Sequence, residues 1–163
     1  MSGACRGRHG RRGLCPRAVA LPPEFMGKMK ERALRELEAF IGEWRLEREI
    51  REASGGSGRF EGVARWVPEG AGALYVETGK LVLPSGRFAA ERRYRWGADL
   101  SVWFEDGRFF HQVPAEGGET GHWCDPDQYD VRYNFSDWPQ WQVRWQVRGP
   151  RKDYSMVSRY ARG

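Results

Sequence analysis

Polar side chains set among apolar residues at strand spacing are where this sequence can do chemistry, because a buried polar group needs a partner or a ligand. Two arginines qualify. Arg48 is in phase with Trp44, Leu46 and Ile50, and Arg92 with Ala90, Tyr94 and Trp96. Guanidinium groups on those inward faces must be paired. An acid on another strand, Glu77 or a neighbour, can pair with them as structure. Equally, a ligand carboxylate or phosphate can do so by bidentate hydrogen bonding. Both readings stand at this stage.

A second constellation is His111, His122, Cys124, Asp125, Asp127 and Tyr129. His111 shares strand spacing with Phe109 and Val113, while His122 and Cys124, two apart, point the same way on a strand. If residues 107–113 and 121–125 form a hairpin, His111 and His122 approach each other. Imidazole and thiolate are transition-metal ligands, but the spacing of His111, His122 and Cys124 matches no standard zinc motif. The catalytic reading uses His111 or His122 as a proton-transfer group beside Asp127 or Tyr129. The structural reading makes His111 a hydrogen-bonded core residue and Asp125-Pro126-Asp127 a turn. A third group, Arg151 and Lys152 in Gly149–Asp153, either grips an anion or is solvated at a hairpin tip. The chain has no Gly-rich phosphate loop before a helix, no serine nucleophile elbow and no His-Glu-x-x-His.

The elements that position these residues are mostly strands. Met29 to Phe40 is the one helical stretch, with Ala33, Leu34, Leu37, Phe40 and Ile41 on one face and the pairs Glu31–Arg35 and Arg32–Glu36 on the other. From Trp44 the period becomes two. The apolar alternations are Phe60–Ala64–Trp66, Leu74–Val76–Thr78 then Leu81–Leu83, Phe88–Ala90–Tyr94–Trp96, and Leu100–Val102–Phe104. They continue as Tyr129–Val131–Tyr133–Phe135, Trp141–Val143–Trp145–Val147 and Tyr154–Met156–Ser158–Tyr160. Pro68, Pro84, Pro114, Pro126, Pro139 and Pro150 are expected between strands. Stretches such as Ser54–Gly58, Asp106–Gly107 and Glu116–Gly121 read as turns. Nine or ten short strands with short connections and one apolar face predict an antiparallel up-and-down barrel, which also hides its edges. A sandwich is the alternative.

Composition narrows the function classes. Of 163 residues 40% are hydrophobic and 13% aromatic, which suits a globular fold whose rings fill a core or line a pocket. The net charge of +5 belongs to the first 30 residues, whose seven Lys/Arg face one acid, so the remaining chain has no overall field for nucleic acid. No stretch approaches a membrane span. Cys5, Cys15 and Cys124 make no disulfide framework, so a cytoplasmic-type setting is expected. Residues 1–25 read as a disordered Arg/Gly-rich tail or an upstream start preceding Met26 or Met29; an organelle-targeting or RNA-contacting tail is the other reading. Cys5 and Cys15 with His9 are a weak metal pattern. The barrel domain is expected over 29–162.

Three segments carry a resemblance. Phe40-Ile41-Gly42-Glu43-Trp44 has the Gly-x-Trp pattern that opens lipocalins and fatty-acid-binding proteins, where the Trp plugs the closed barrel end. Val102–His111 and Val147–Tyr154 resemble the paired signatures of an uncharacterised calycin-like family, domain of unknown function 6314. The resemblance covers about residues 38–162. It implies a lipocalin-like barrel and no function, since calycin barrels host carriers, heme proteins and a few enzymes. A heme carrier would use His111 or His122 as axial ligand. Fatty-acid carriers hold their ligand with internal Arg and Tyr; their Arg-x-Tyr ending is not matched, because Arg159 directly precedes Tyr160.

Three functions follow. The first is a barrel that binds a small hydrophobic, acidic or conjugated ligand. Arg48, Arg92 and His111 would orient it, Tyr94, Trp145 and Tyr160 would wall it, and His122 and Cys124 would touch it. The second is an isomerase, cyclase or hydrolase in the same cavity. The third is an interaction module with a filled interior.

Overall fold

A computed structural model describes residues 34–163. The expected tail, Cys5, His9, Cys15 and the first part of the expected helix lie outside those residues. One short helix, α1 (Leu37–Phe40), is followed by ten strands. They are β1 (Gly42–Glu52), β2 (Ser57–Glu69), β3 (Gly72–Leu83), β4 (Gly86–Trp96) and β5 (Ser101–Trp103). Then come β6 (Phe109–Gln112), β7 (Gly118–Cys124), β8 (Asp127–Asn134), β9 (Trp141–Arg148) and β10 (Asp153–Ala161). No helix among the described residues is long and apolar enough to cross a membrane.

All strands join one antiparallel sheet in the order β6-β5-β4-β3-β2-β1-β10-β9-β8-β7. The first and last strands close the ring through β1–β10, and β6 lies beside β7 at a seam without a ladder. The result is a nearly closed barrel, the architecture expected from the strand count and short turns.

Alternation sets what faces inward. On β1, Trp44, Leu46 and Arg48 are buried while Arg45, Glu47 and Glu49 are exposed. β9 repeats the pattern with Trp141, Val143, Trp145 and Val147 inside. The closed end is a plug of rings in which Phe40 meets Trp66, Trp96, Phe135, Trp138 and Trp141 at centroid distances of 5.3–6.0 Å. The Gly-x-Trp motif builds this floor. Gly42 has φ +113°, a conformation glycine adopts freely, and it turns the chain from α1 into β1. Trp44 then enters the floor and donates from Nε1 to the Phe40 carbonyl at 2.7 Å. Arg162 caps it from outside, 4.2 Å over the Trp44 ring, and donates to the carbonyls of Ala39 and Ile41.

Five local expectations are corrected. Residues 34–36 are not helical and Leu34 is exposed, so among the described residues the helix is a single turn held by Leu37 and Phe40. On β3 the inner face is Ala73, Tyr75 and Glu77, and Leu74, Val76 and Thr78 face outward; pairing of Trp66 with Tyr75 and of Glu77 with Arg92 fixes that phase. Pro68 lies inside β2, one residue from its end. β7 begins at Gly118, within the stretch read as a turn. Finally, the β5–β6 register slips at Val102/Trp103: Val102 faces His111 and Trp103 faces Phe109. The extra residue puts Phe110 and His111 both inside and leaves Phe109 outside against Trp103.

Candidate functional site

Above the aromatic floor the barrel holds a cavity of about 260 Å³. Its wall is mostly rings, among them Trp66, Tyr94, Phe110, Trp141, Trp145 and Tyr160. Two polar groups interrupt that wall.

The first is centred on Glu77. Arg48 grips it with both terminal nitrogens, Nη1 to Oε1 and Nη2 to Oε2, each at 2.7 Å. The Arg48 Nε donates to Ser158 Oγ at 2.6 Å, and the Tyr75 hydroxyl donates to Glu77 Oε2 at 2.6 Å. Burial alone would lower the Arg48 guanidinium, but the hydrogen bonds and charge of Glu77 more than reverse it. Burial alone would likewise raise Glu77, and Arg48, then Arg92, hold it below the ordinary carboxylate range. Charge is therefore kept on both partners. Proton counting fixes the rest. Tyr75 has one hydroxyl proton and Glu77 takes it, so Tyr160 is the donor in the 3.1 Å contact between the Tyr75 and Tyr160 hydroxyls. Of the two readings of Arg48, the geometry is that of the structural pair.

Arg92 is placed differently. It pairs across β3–β4 with Glu77, but its Nε stands 3.7 Å from Glu77 Oε1 and its side chain is 46% exposed. It lines the cavity and also an outer groove with Glu91, Phe104 and Arg108. Along β4 only Arg95 and Trp96 pair with β5, so the wall beside Arg92 has a gap.

The second polar group is His111. It is 2% exposed, its Nε2 lies 2.8 Å from the Tyr133 hydroxyl, and its Nδ1 has no hydrogen-bond partner. Burial, then nearby His122, lowers its pKa to about 3, so the ring is neutral. Burial likewise pushes the Tyr133 phenol well above its ordinary value.

The remaining sequence candidates separate. Tyr94, Cys124, Tyr129, Trp145 and Tyr160 line the cavity. His122 approaches His111 across the β6–β7 seam rather than in a paired hairpin, packs on Phe110 at 5.4 Å, and is not part of the cavity wall. Asp127 turns away to Lys152 at 2.6 Å, and Lys152 also donates to the Tyr129 hydroxyl at 3.3 Å. That hydrogen bond to Asp127, then the one to Tyr129, raises the Lys152 pKa. Lys152 is thus committed, and Asp127 orients no histidine. Among the described residues no three His, Cys, Asp or Glu side chains gather as a metal site. The residues do not fit heme either: the one bonded nitrogen of His111 is held by Tyr133, its other is enclosed, and His122 stands outside the wall. Sequence reasoning missed the roles of Tyr75, Tyr133 and Ser158. They sit on inward faces, but Ser158 meets Arg48 from the neighbouring strand and Tyr133 meets His111 from a strand not paired with β6, while Tyr75 meets Glu77 two residues along β3.

The family model described as "Family of unknown function (DUF6314)" matches residues 40–162. The chain belongs to this DUF6314 family. Comparison with curated proteins returns no match. Among solved structures, the DUF6314 barrel is similar to the S-type phycobiliprotein lyase CPES from Guillardia theta, with a TM-score of 0.58 and 8% identity. That likeness covers 78% of this chain and 90% of the lyase chain, and it is a likeness of fold.

Proposed function

We propose that this barrel binds a small, flat, aromatic or conjugated molecule bearing an acidic group, and that Arg92 meets that group at the mouth. The observation that carries the reading is a ring-walled cavity of about 260 Å³ bordered by one half-exposed guanidinium. The acid nearest Arg92 already holds Arg48 bidentately. The volume lies near the lower end of ligand pockets, roughly 300–1,000 Å³, which favours two or three fused rings. Arg48 acts as structure beneath the ligand. A phycobiliprotein lyase sharing the fold agrees with a small-molecule role rather than a filled interaction module. Acid–base catalysis has less support, because His111 is enclosed and faces a phenol rather than a carboxylate.

Native mass spectrometry of protein purified from cell extract reads any co-purifying ligand. Independently, 8-anilino-1-naphthalenesulfonate is expected to bind and brighten, and Arg92→Ala to weaken it about tenfold, as for one charged hydrogen bond. No probe binding together with a ligand-free mass would sink the reading. Equal binding by Arg92→Ala would remove Arg92 from it.

A further inference from the structure

One hydrogen bond joins two residues of the cavity wall, and their surroundings fix which of them donates. His111 Nε2 and the Tyr133 hydroxyl are 2.8 Å apart, so one donates to the other. His111 carries a single ring proton, since it is buried and no carboxylate contacts it. If Tyr133 donated, the ring proton would sit on Nδ1, which is buried and has no hydrogen-bond partner. Trp66 and Trp141 already enclose indole N–H groups without an acceptor, but an indole has no other place for its proton, whereas an imidazole can carry its proton on either nitrogen, and an enclosed bare acceptor is the better tolerated state. The proton therefore belongs on Nε2, and Tyr133 accepts.

The Tyr133 O–H is then uncommitted. Tyr133 lines the cavity and has no other hydrogen bond among the described residues, whereas Tyr75 and Tyr160 use their protons within the Glu77 group. We infer that Tyr133, with its proton freed by the Nε2–H of His111, donates a hydrogen bond to an acceptor oxygen of the cavity ligand, so that the site selects aromatic carbonyl or carboxylate compounds over the matching hydrocarbons. Tyr133 is a specificity-determining residue and His111 a positioning residue. The inference rests on the ligand-binding reading above and adds the chemistry required at the inner end of the ligand.

Two measurements decide it. Long-range proton–nitrogen correlation NMR of the full chain reads the His111 tautomer without any ligand. A pyrrole-type Nε2 and a pyridine-type Nδ1 are expected, with the signals assigned by their loss in His111→Phe. A protonated Nδ1, held against the face of Trp145 or Phe110, overturns the proton assignment and the inference with it. The second measurement compares 9-fluorenone with fluorene, a ketone and its parent hydrocarbon, by quenching of tryptophan fluorescence. Wild type is expected to prefer fluorenone by about fivefold, the size of one neutral hydrogen bond. Tyr133→Phe should abolish that preference, bringing fluorenone down to the affinity of fluorene in the same variant. A preference that survives in Tyr133→Phe, or none in wild type, overturns the selection. Failure of both probes to bind overturns the selection; joined by failure of 8-anilino-1-naphthalenesulfonate and a ligand-free mass, it overturns the ligand-binding reading as well, while the tautomer still reports on the proton.

Discussion

The two polar groups set into the barrel wall differ in how completely they satisfy themselves. Around Glu77 nearly every donor and acceptor has a partner: three nitrogens of Arg48, both carboxylate oxygens, Ser158 and the chain of phenols from Tyr160 to Tyr75. His111 has one partner, Tyr133, and an enclosed nitrogen without any. The first arrangement is a strut. It ties β1, β3 and β10 together and holds two charges where a lone charge would be very costly. The second is incomplete within the protein, as expected of a group that leaves capacity for something else. A guanidinium in the wall is therefore a poorer pointer to ligand contact than a singly bonded imidazole–phenol pair.

The largest test of that contrast is Glu77→Leu. It strands the buried Arg48 charge, and urea unfolding should show a loss of about 3–5 kcal/mol. Arg48→Met combined with Glu77→Leu removes both charges and should recover most of it, because an apolar pair of similar volume is often as stable as a buried ion pair. A double variant as damaged as the single one would mean that Ser158 and Tyr75 depend on the ions for their own placement.

Acid separates the groups next. The unfolded His111 takes a proton near 6.5, while the folded ring resists it until about 3. Below 6.5 the unfolded state therefore binds more protons, so this contribution is complete above 6.5 and declines as pH falls toward 3. Glu77 is also depressed, so its contribution declines only below its ordinary 4.5. Stability should thus fall in two stages, and His111→Phe should flatten the upper one. At neutral pH the same substitution should cost only about 1 kcal/mol, because it removes one hydrogen bond and an unpartnered nitrogen. A loss of 3 kcal/mol or more would show that the imidazole is as fully engaged as the Arg48 cluster.

How much of this was legible in the sequence depended on whether a strand had one apolar face or two. β1, β8, β9 and β10 alternate cleanly, so Trp44, Arg48, Tyr133, Trp145 and Tyr160 could be set inside from spacing alone. β3 could not be phased that way. Its outer face carries Leu74 and Val76, and its inner face carries Glu77, whose place inside makes sense only beside Arg48, 29 residues earlier. Phe109 and His111 looked like neighbours on one face because a bulge has no signature in Phe-Phe-His. Glu77 was nameable as a partner, but the His111–Tyr133 contact was not, since it reaches from the edge strand β6 over the seam to β8, and no local pattern encodes which edges meet. The barrel itself followed from strand number and turn length, and the resemblance in Gly42-Glu43-Trp44 named its closed end correctly.

The smallest effect marks the boundary between the two groups. Arg92 touches the Glu77 cluster from outside, at 3.7 Å and 46% exposed, where solvent screens much of the attraction. Arg92→Ala should therefore change unfolding free energy by no more than about 0.5 kcal/mol, a difference that shrinks as salt is added. Glu77 keeps its bidentate bonds to Arg48 and its bond from Tyr75 in that variant, so the buried carboxylate is not left unpaired. A loss comparable to that of Glu77→Leu would place Arg92 inside the strut, committed to Glu77 as fully as Arg48 is. The mouth would then have no cation to offer a ligand, and recognition would fall to the Tyr133 hydroxyl and the ring wall alone. A small loss leaves Arg92 as the one arginine at the cavity whose charge still faces outward, which the acidic-ligand reading requires.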